Sequence, residues 1–289
     1  MILVVVGPTG VGKTKMSVEL AKKYNAEIIN ADSMQVYTGL NIGTAKVREE
    51  EKENINHHLF DIVDPKDMYT VFDYQKDGRK LINKLIDENK NIIIVGGTGL
   101  YIKALLYDYR FKEEKSLNTY DDLTNEDIYN KIKNYDKDIN IHVNNRKRLI
   151  RLLNKYEQDL IEEKTGNKPL YDFKMIGLTT NRETLYKKID LRVDKMVEDG
   201  LIEEVKYFYD KGINSKAINT GIGYKELYKY FNNEISLDEA IDLIKKNSRH
   251  YAKRQYTFFK NQFKDIKWYE TNYNDFSKTV NEVIEDINK

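Results

Sequence analysis

The stretch Met1-Ile-Leu-Val-Val-Val-Gly7-Pro-Thr-Gly-Val-Gly12-Lys13-Thr14 decides the fold. Residues 2–6 are a short, continuous apolar run, the pattern of a strand that is buried on both faces of a parallel sheet. The pattern G-x-x-x-x-G-K-[ST] follows at once, and residues 13–24 then show the periodicity of an amphipathic helix. A strand, a glycine-rich loop and a helix in this order predict a phosphate-binding loop (P-loop) in an α/β domain.

The predicted P-loop presents backbone N–H groups and the positive end of a helix to phosphate oxygens. Lys13 is expected to reach the terminal phosphate, and Thr14 to offer its hydroxyl to Mg²⁺. An ordinary glycine-rich turn with a surface lysine is the alternative, but the flanking strand and helix favour a di- or triphosphate site. The residues assigned to this diphosphate cradle are Gly7, Pro8, Thr9, Gly10, Val11, Gly12, Lys13 and Thr14.

Strands and helices alternate in the first 110 residues. Further strands are predicted over 27–31, 91–95 and 174–178, and a helix over 70–89. The core face of that helix is predicted to consist of Phe72, Leu81, Ile82, Leu85 and Ile86. The alternation predicts an α/β fold: a P-loop NTPase-like parallel sheet core flanked by helices, with a small helical insertion and a helical C-terminal region. We expect the first part of the core over 1–110, the insertion over 111–141 and the rest over 142–289.

Composition excludes several classes of site. The 289 residues contain no Cys, so disulfides, thiolate catalysis, iron–sulfur clusters and Cys-ligated zinc are ruled out. With four His in the chain and no third one near His57 and His58, we favour a structural or substrate-lining role for that pair over a metal site. The apolar N-terminal run is too short to span a bilayer and lacks the basic residues of a signal peptide, which predicts a cytoplasmic protein with no membrane partner.

The charge balance of 48 basic against 47 acidic residues hides an uneven distribution. Residues 144–156 and 245–264 contain five and seven Lys or Arg, respectively, and no acid. The second run is interleaved with aromatic residues, a combination that suits phosphate contact and base stacking. Either run alone is more typical of a solvated helix face. The charge distribution supports a nucleic-acid partner, with solvated helix faces as the alternative.

The expected catalytic chemistry depends on where the acids lie. The predicted strand over 91–95 ends in Gly96-Gly97-Thr98-Gly99, without the Asp that P-loop NTPases usually place there, which favours a site where the diphosphate is the leaving group. An acid instead follows the second predicted strand, as Asp32. Strand ends in open α/β sheets face the ligand crevice, so Asp32 could accept a proton from an attacking group. An N-cap or turn role is the alternative.

Seven ordered motifs now carry a resemblance to a known family. Besides the P-loop they are Asp32-Ser-Met-Gln-Val-Tyr37, Asn41-Ile-Gly-Thr-Ala-Lys46, His57-His-Leu-Phe-Asp61, Val95-Gly-Gly-Thr-Gly-Leu-Tyr101, Gly221-Ile-Gly-Tyr-Lys-Glu226 and Arg249-His-Tyr-Ala-Lys-Arg-Gln255. In this order they resemble the motifs of tRNA dimethylallyltransferases. The resemblance implies transfer of a dimethylallyl group from dimethylallyl diphosphate to the exocyclic N6 amine of the adenine just 3′ of the anticodon. Its implied partners are dimethylallyl diphosphate and a tRNA anticodon stem-loop, its metal is Mg²⁺, and its state is monomeric.

The resemblance also implies roles for individual residues. Asp32 resembles the family's base, Arg192 its arginine on the opposite side of the diphosphate, and Lys13 and Thr14 act with them in catalysis. Thr98 corresponds to a contact in the channel that the flipped base enters. The tRNA-binding residues implied are Asp32, Ser33, Met34, Gln35, Thr98, Lys147, Arg148, Arg151, Arg249, Lys253 and Arg254, the last two within the tRNA-binding segment Lys253-Arg254-Gln255.

The chain departs from the family pattern where Ile141-His-Val-Asn-Asn145 replaces the usual Ile-His-Pro-Asn-Asp, and its insertion at 111–140 is shorter and more divergent than usual. The Cys/His zinc module of eukaryotic relatives is missing, so the resemblance is to the bacterial type. Three alternatives stay open. An adenylate dimethylallyltransferase would act on free AMP, a P-loop small-molecule kinase would use Asp32 as base toward a hydroxyl, and a nucleotide-controlled RNA-binding protein would perform no chemistry.

Overall fold

The computed structural model describes residues 1–111, 118–158 and 167–289. Within these ranges one sheet has six parallel strands in the order β3-β2-β4-β1-β5-β6. The strands are β1 (Ile2–Val6), β2 (Ala26–Asn30), β3 (His57–His58), β4 (Asn91–Val95), β5 (Lys174–Thr179) and β6 (Ile266–Glu270). The predicted α/β class, a P-loop NTPase-like parallel sheet flanked by helices, is confirmed.

The chain forms two compact units, residues 1–107 with 169–289 and residues 108–168. Helices of the first unit are α1 (Lys13–Tyr24), α2 (Val71–Asp87), α3 (Gly99–Leu106), α6 (Arg182–Glu198), α7 (Leu201–Asp210), α8 (Lys216–Thr220), α9 (Tyr224–Phe231), α10 (Leu237–Gln262) and α11 (Phe276–Ile287). The second unit contains α4 (Asn125–Lys133) and α5 (Arg146–Glu157). No helix in the described ranges is long and apolar enough to cross a bilayer.

The central strand β1 explains why the sheet is covered on both faces. Leu3 and Val5 belong to one hydrophobic cluster, whereas Val4 and Val6 belong to another. Alternate residues of a strand point to opposite faces, so an uninterrupted apolar strand requires helices on both sides. The first cluster includes residues of α1 and α11, and the second includes residues of α2, α3 and α10.

The helix α2 is rotated from its predicted orientation. Phe72 and Ile86, expected in the core, are 52% and 45% exposed. Its buried stripe is formed by Tyr74, Gln75, Gly78, Ile82 and Leu85. Tyr74 stacks on Tyr101 of α3, and a Cβ at Gly78 would lie 2.7 Å from Leu105. Because α3 approaches α2 so closely, polar and small residues of α2 form part of its buried face.

The second unit has its own small core and wider bounds than the predicted insertion. The insertion was expected over 111–141, of which 112–117 lie outside the described residues, whereas the unit spans 108–168 and includes α5. The α5 helix joins it because Leu149 and Leu153 pack with Ile128 and Ile132 of α4. Arg146 also donates to the carbonyls of residues 120 and 123, at 2.7 and 2.8 Å.

Candidate functional site

A cavity of about 1030 Å³ opens at the carboxyl edge of the sheet. Strands β1, β2 and β4 are parallel, so the residues that follow them meet at this edge. These residues are the P-loop, the segment beginning at Asp32 and the turn Gly96-Gly97. Side chains from α6 and α10 complete the lining, among them Arg192, Ser248, Tyr251, Arg254 and Gln255.

The P-loop conformation depends on glycine. Gly10 and Gly12 have φ angles of +83° and +94°, in the left-handed region that glycine tolerates. A Cβ at Gly12 would also lie 2.7 Å from the ring of Phe276. Two carbonyls of the loop accept hydrogen bonds from residues near the C-terminal end of the chain. The Tyr273 hydroxyl donates to the carbonyl of Gly10 at 3.1 Å, and the Thr271 hydroxyl to that of Val11 at 3.0 Å.

Lys13 begins α1 and turns back over the loop. Its Nζ donates to the carbonyl of Pro8 at 2.8 Å. The pKa of Lys13 is lowered to about 8, mainly by burial; the charge of Asp32 opposes this shift and that of Arg192 adds to it. Thr14 follows on the first turn of α1, exposed and in the cavity wall. The cavity therefore contains a lysine whose charge is sensitive to pH near neutrality.

Arg192 reaches the P-loop from α6. Its Nη1 donates to the Thr9 hydroxyl at 2.8 Å. Burial lowers the pKa of Arg192, and the charge of Asp32 counteracts this. The structure thus brings the two predicted cations, Lys13 and Arg192, to the same loop and within electrostatic range of one carboxylate.

Asp32 both stabilises a turn and lines the cavity. Its Oδ1 accepts the N–H of Met34 at 3.0 Å, and its own N–H donates to Asn30 Oδ1 at 2.9 Å, so it does stabilise a turn. The same side chain lines the cavity and contributes to the pKa values of Lys13 and Arg192. Turn geometry fixes the carboxylate where a substrate proton could be accepted.

The polar strip after Asp32 is tied to the turn that follows β4. The Ser33 N–H donates to Thr98 Oγ1 at 3.0 Å, and the two hydroxyls lie 3.2 Å apart. Gln35 donates from Nε2 to the carbonyls of Thr44 and Ala45, at 3.0 and 3.2 Å. Ser33, Met34 and Gln35 line the cavity. Thr98 is thus placed beside this strip, at the start of α3.

Glu204 of α7 holds the 41–43 segment of the cavity wall, and the sequence analysis did not single it out. Its carboxylate accepts the N–H groups of Asn41, Ile42 and Gly43 at 3.0, 2.8 and 3.0 Å. The Tyr224 hydroxyl donates to the same carboxylate at 2.6 Å, and burial together with Glu204 raises the pKa of Tyr224 well above its usual value. The sequence near position 204 has no motif that would have revealed this contact.

Six of the predicted tRNA-binding residues lie on two helices, α10 and α5. Arg249, Lys253 and Arg254 lie on α10, where Arg254 lines the cavity with its guanidinium 5.8 Å from the ring of Tyr251. Lys253 is exposed, whereas Arg249 forms an ion pair with Asp190. The other predicted residues, Lys147, Arg148 and Arg151, are exposed on α5 of the second unit.

Each histidine of the pair has its own contact within the protein. His58 Nε2 lies 2.6 Å from Glu27 Oε2, and His57 lines the cavity with its Nδ1 2.8 Å from the carbonyl of Ile55. Among the residues with described positions, no group of three or more His, Cys, Asp or Glu side chains could hold a metal ion.

Comparison with known proteins gives a consistent result. The family model described as IPP transferase matches residues 35–262. A tRNA dimethylallyltransferase of Anoxybacillus flavithermus is 46% identical, with 98% of this chain and 94% of the relative covered. One of Bacillus mycoides is 44% identical, with 93% and 89% covered.

Solved structures agree with these sequence relatives. A tRNA isopentenylpyrophosphate transferase of Bacillus halodurans superposes with a TM-score of 0.78 at 39% identity, covering 99% of this chain and 95% of that one. A eukaryotic dimethylallyltransferase, described as acting on tRNA, superposes with a TM-score of 0.79 at 28% identity, covering 99% and 79%.

Proposed function

The chain belongs to the IPP transferase family, and on that premise we propose that it is a tRNA dimethylallyltransferase. It transfers a dimethylallyl group from dimethylallyl diphosphate to the N6 amine of the adenine 3′-adjacent to the anticodon. The single observation that carries the site assignment is the cavity that joins a P-loop, two cations and one carboxylate, Asp32. The P-loop and the two cations are proposed to stabilise the leaving diphosphate, and Asp32 to accept the proton of the attacking amine.

The leaving group requires positive charge. As the bond between the allylic carbon and the diphosphate oxygen breaks, negative charge grows on the diphosphate. The P-loop N–H groups, Lys13 and Arg192 are preorganised to stabilise that charge, because the loop is held by Thr271 and Tyr273 and Arg192 is fixed on Thr9. Donors already oriented in the free protein need no reorganisation during the reaction.

The nucleophile requires a proton acceptor. The adenine amine is a weak nucleophile, because its lone pair is delocalised into the ring. Its nitrogen attacks the allylic carbon, and the N–H becomes acidic only as the new N–C bond forms. Asp32 then accepts this proton, so that the product amine is neutral. Asp32 lines the same cavity as the P-loop and acts electrostatically on Lys13, which supports this role.

The donor set at the P-loop fits Mg²⁺. The Thr14 hydroxyl lies exposed in the cavity wall, next to the place proposed for the diphosphate. Mg²⁺ prefers hard oxygen ligands and is commonly bound by few protein groups together with phosphates and water. We propose Thr14 as its protein ligand. When bound, the ion neutralises charge on the leaving diphosphate.

The RNA substrate must present an unpaired base. An adenine inside a stacked loop cannot reach a cavity wall, so it has to be unstacked and inserted. Arg254 at the cavity and Lys253 on the same helix are positioned for the RNA backbone, with Thr98 and the strip of Ser33, Met34 and Gln35 for the base. Arg249 and the α5 residues Lys147, Arg148 and Arg151 are proposed as further tRNA contacts. We also propose that the protein acts as a monomer in the cytoplasm.

The alternatives of AMP prenylation and of a small-molecule kinase gain no support. The relatives are named for action on tRNA, and exposed cations on α10 have no evident use with a free nucleotide. At the end of β4 the chain has Gly96-Gly97, where nucleotide hydrolases usually have an acid.

The test combines the protein, Mg²⁺, dimethylallyl diphosphate and an anticodon stem-loop that carries a run of adenines. Mass spectrometry is expected to show one five-carbon addition to the RNA. Parallel reactions replace the RNA with AMP, or the diphosphate with labelled ATP. Addition to AMP alone would support the adenylate enzyme, phosphate transfer from ATP would support the kinase, and RNA binding without any addition would support a non-enzymatic binding protein.

A further inference from the structure

One polar residue of α10 faces the interior of the protein. Gln255 is only 5% exposed, although Lys253 and Arg254, its immediate predecessors, are exposed. The sequence resemblance grouped all three in one tRNA-binding segment. The structure separates them, because the side chain of Gln255 points into the wall of the cavity rather than toward the outer face of the helix.

The Gln255 carboxamide connects two backbone segments. Its Oε1 accepts the N–H of Thr9 at 2.8 Å, and its Nε2 donates to the carbonyl of Gly97 at 3.0 Å. A backbone N–H can only donate and a carbonyl can only accept, so these two contacts fix the orientation of the carboxamide. One segment is the P-loop, and the other is the turn after β4.

The turn is shaped to receive this side chain. A Cβ at Gly97 would lie 2.1 Å from Gln255 Nε2, a distance that no larger residue could accommodate without displacing the carboxamide. The hydroxyl of the next residue, Thr98, accepts a hydrogen bond from the Ser33 N–H. The Tyr251 hydroxyl interacts with the side chains of both Thr98 and Gln255. A continuous polar connection therefore runs from the P-loop to the strip after Asp32.

We propose that Gln255 is a positioning residue that sets the spacing between the diphosphate and the acceptor adenine. The proposal rests on the proposed function. The allylic carbon is carried by the diphosphate on the P-loop, and the amine is presented beside Asp32. Reacting atoms must approach to about 3–3.5 Å, and a displacement of about 1 Å can cost about 10²-fold in rate. Gln255 acts through Thr9 and Gly97, and not on the reacting atoms.

Two substitutions separate this role from tRNA binding. Gln255→Met keeps a similar side-chain size and removes both hydrogen bonds. Gln255→Glu keeps the acceptor for the Thr9 N–H and removes the donor to Gly97. The matched control is Gln262→Met on the same helix, where Gln262 is exposed and accepts from Lys103 at the surface.

The readouts are kcat with both substrates saturating and the Kd for the anticodon stem-loop, with thermal unfolding to confirm that each variant folds. Gln255→Met is expected to lower kcat by about 10²-fold, with a Kd unchanged from wild type because Lys253 and Arg254 remain. Gln255→Glu is expected to fall between the Met variant and wild type, and the Gln262→Met control to match wild type.

Either of two results would overturn the proposal. One is a wild-type kcat in Gln255→Met, or in Gln255→Glu should the Met variant not fold. The other is a weakened Kd with kcat retained at saturation, which would make Gln255 a tRNA contact. A wild-type protein that modifies no RNA would overturn the proposed function itself, so the two failures are distinguishable.

Discussion

The guanidinium of Arg192 donates to the hydroxyl of Thr9 at 2.8 Å, although 183 residues separate them in the chain. A cation of α6 is thereby fixed to the loop that begins the domain. Its charge is oriented before any ligand arrives, which is the condition under which electrostatic stabilisation of a leaving group is most effective.

Removing this cation should slow the chemical step. Arg192→Gln is expected to lower kcat by about 10²–10³-fold, the usual effect of losing one preorganised charge-stabilising donor. Lys187→Gln serves as control, because Lys187 is on the same helix in an exposed pair with Glu183. Single-turnover prenylation measures the step directly. Equal rates in both variants would contradict the assignment of Arg192 to the leaving group.

Asp32→Asn tests the proton acceptor. Asparagine retains an Oδ1 for the Met34 N–H, so the turn should survive while basicity is lost. We expect kcat to fall by about 10²–10⁴-fold, with little change in the Kd for the stem-loop. Asp67→Asn, an exposed position, is the control. A variant with normal kcat would show that another group takes the proton.

The lowered pKa of Lys13 predicts an alkaline limb in the pH profile. Below its pKa of about 8 the lysine is charged and can bind diphosphate; above it, the lysine becomes neutral. The kcat/KM for dimethylallyl diphosphate reports the free enzyme and should fall about tenfold per pH unit above the pKa. Lys13→Arg should lack this limb, since arginine stays charged. Identical midpoints in both proteins would exclude Lys13 as its origin.

Glu204→Gln should loosen the cavity wall. The carboxylate accepts three backbone N–H groups and the Tyr224 hydroxyl, and the amide offers one oxygen fewer. We expect a loss of about 1–3 kcal/mol in the free energy of unfolding and faster hydrogen exchange at residues 41–43. The exposed neighbour variant Glu203→Gln should change stability by less than about 0.5 kcal/mol. Unchanged hydrogen exchange at residues 41–43 would show that Glu204 does not hold this segment in place.

Lys253, an exposed cation of α10, should contribute to the salt dependence of RNA binding. Removing a cation that binds one phosphate reduces the slope of log K against log salt by about 0.7–0.9. Lys253→Gln is expected to show this decrease, whereas Lys278→Gln, exposed on α11, should keep the wild-type slope. Titrations of the stem-loop at several KCl concentrations measure the slope. A parallel decrease in both variants would indicate a non-specific effect.

Much of the sheet could be predicted from local pattern. The bounds of β4 and α1 agree with the predicted ranges 91–95 and 13–24, because a buried strand and an amphipathic helix carry strong periodicities. The strand β6 was not predicted: its sequence Ile-Lys-Trp-Tyr-Glu mixes charged and apolar residues, and Tyr269 is its only buried residue, as suits the edge of a sheet. The two residues of β3 are too few to leave any pattern.

The site was predictable to the extent that its residues follow strands. The P-loop was recognisable from the pattern G-x-x-x-x-G-K-[ST] between a strand and a helix, and Asp32 because strand ends converge at one edge. Glu204 and the inward orientation of Gln255 could not be found, because both depend on the packing of helices around the cavity. Lys253, Arg254 and Gln255 are adjacent in sequence, and only the rotation of α10 about its axis determines which of them faces the P-loop.

The contact between Thr9 and Gln255 also orders events during synthesis. The P-loop leaves the ribosome before α10 does, and the acceptor for its Thr9 N–H is made 246 residues later. At about 5–20 residues per second, this delay is roughly 12–50 s. Tyr273 and Phe276, which also contact the loop, follow later still. A nascent chain stalled before α10 is finished thus carries the entire phosphate-binding motif, yet its loop lacks the partners that shape it.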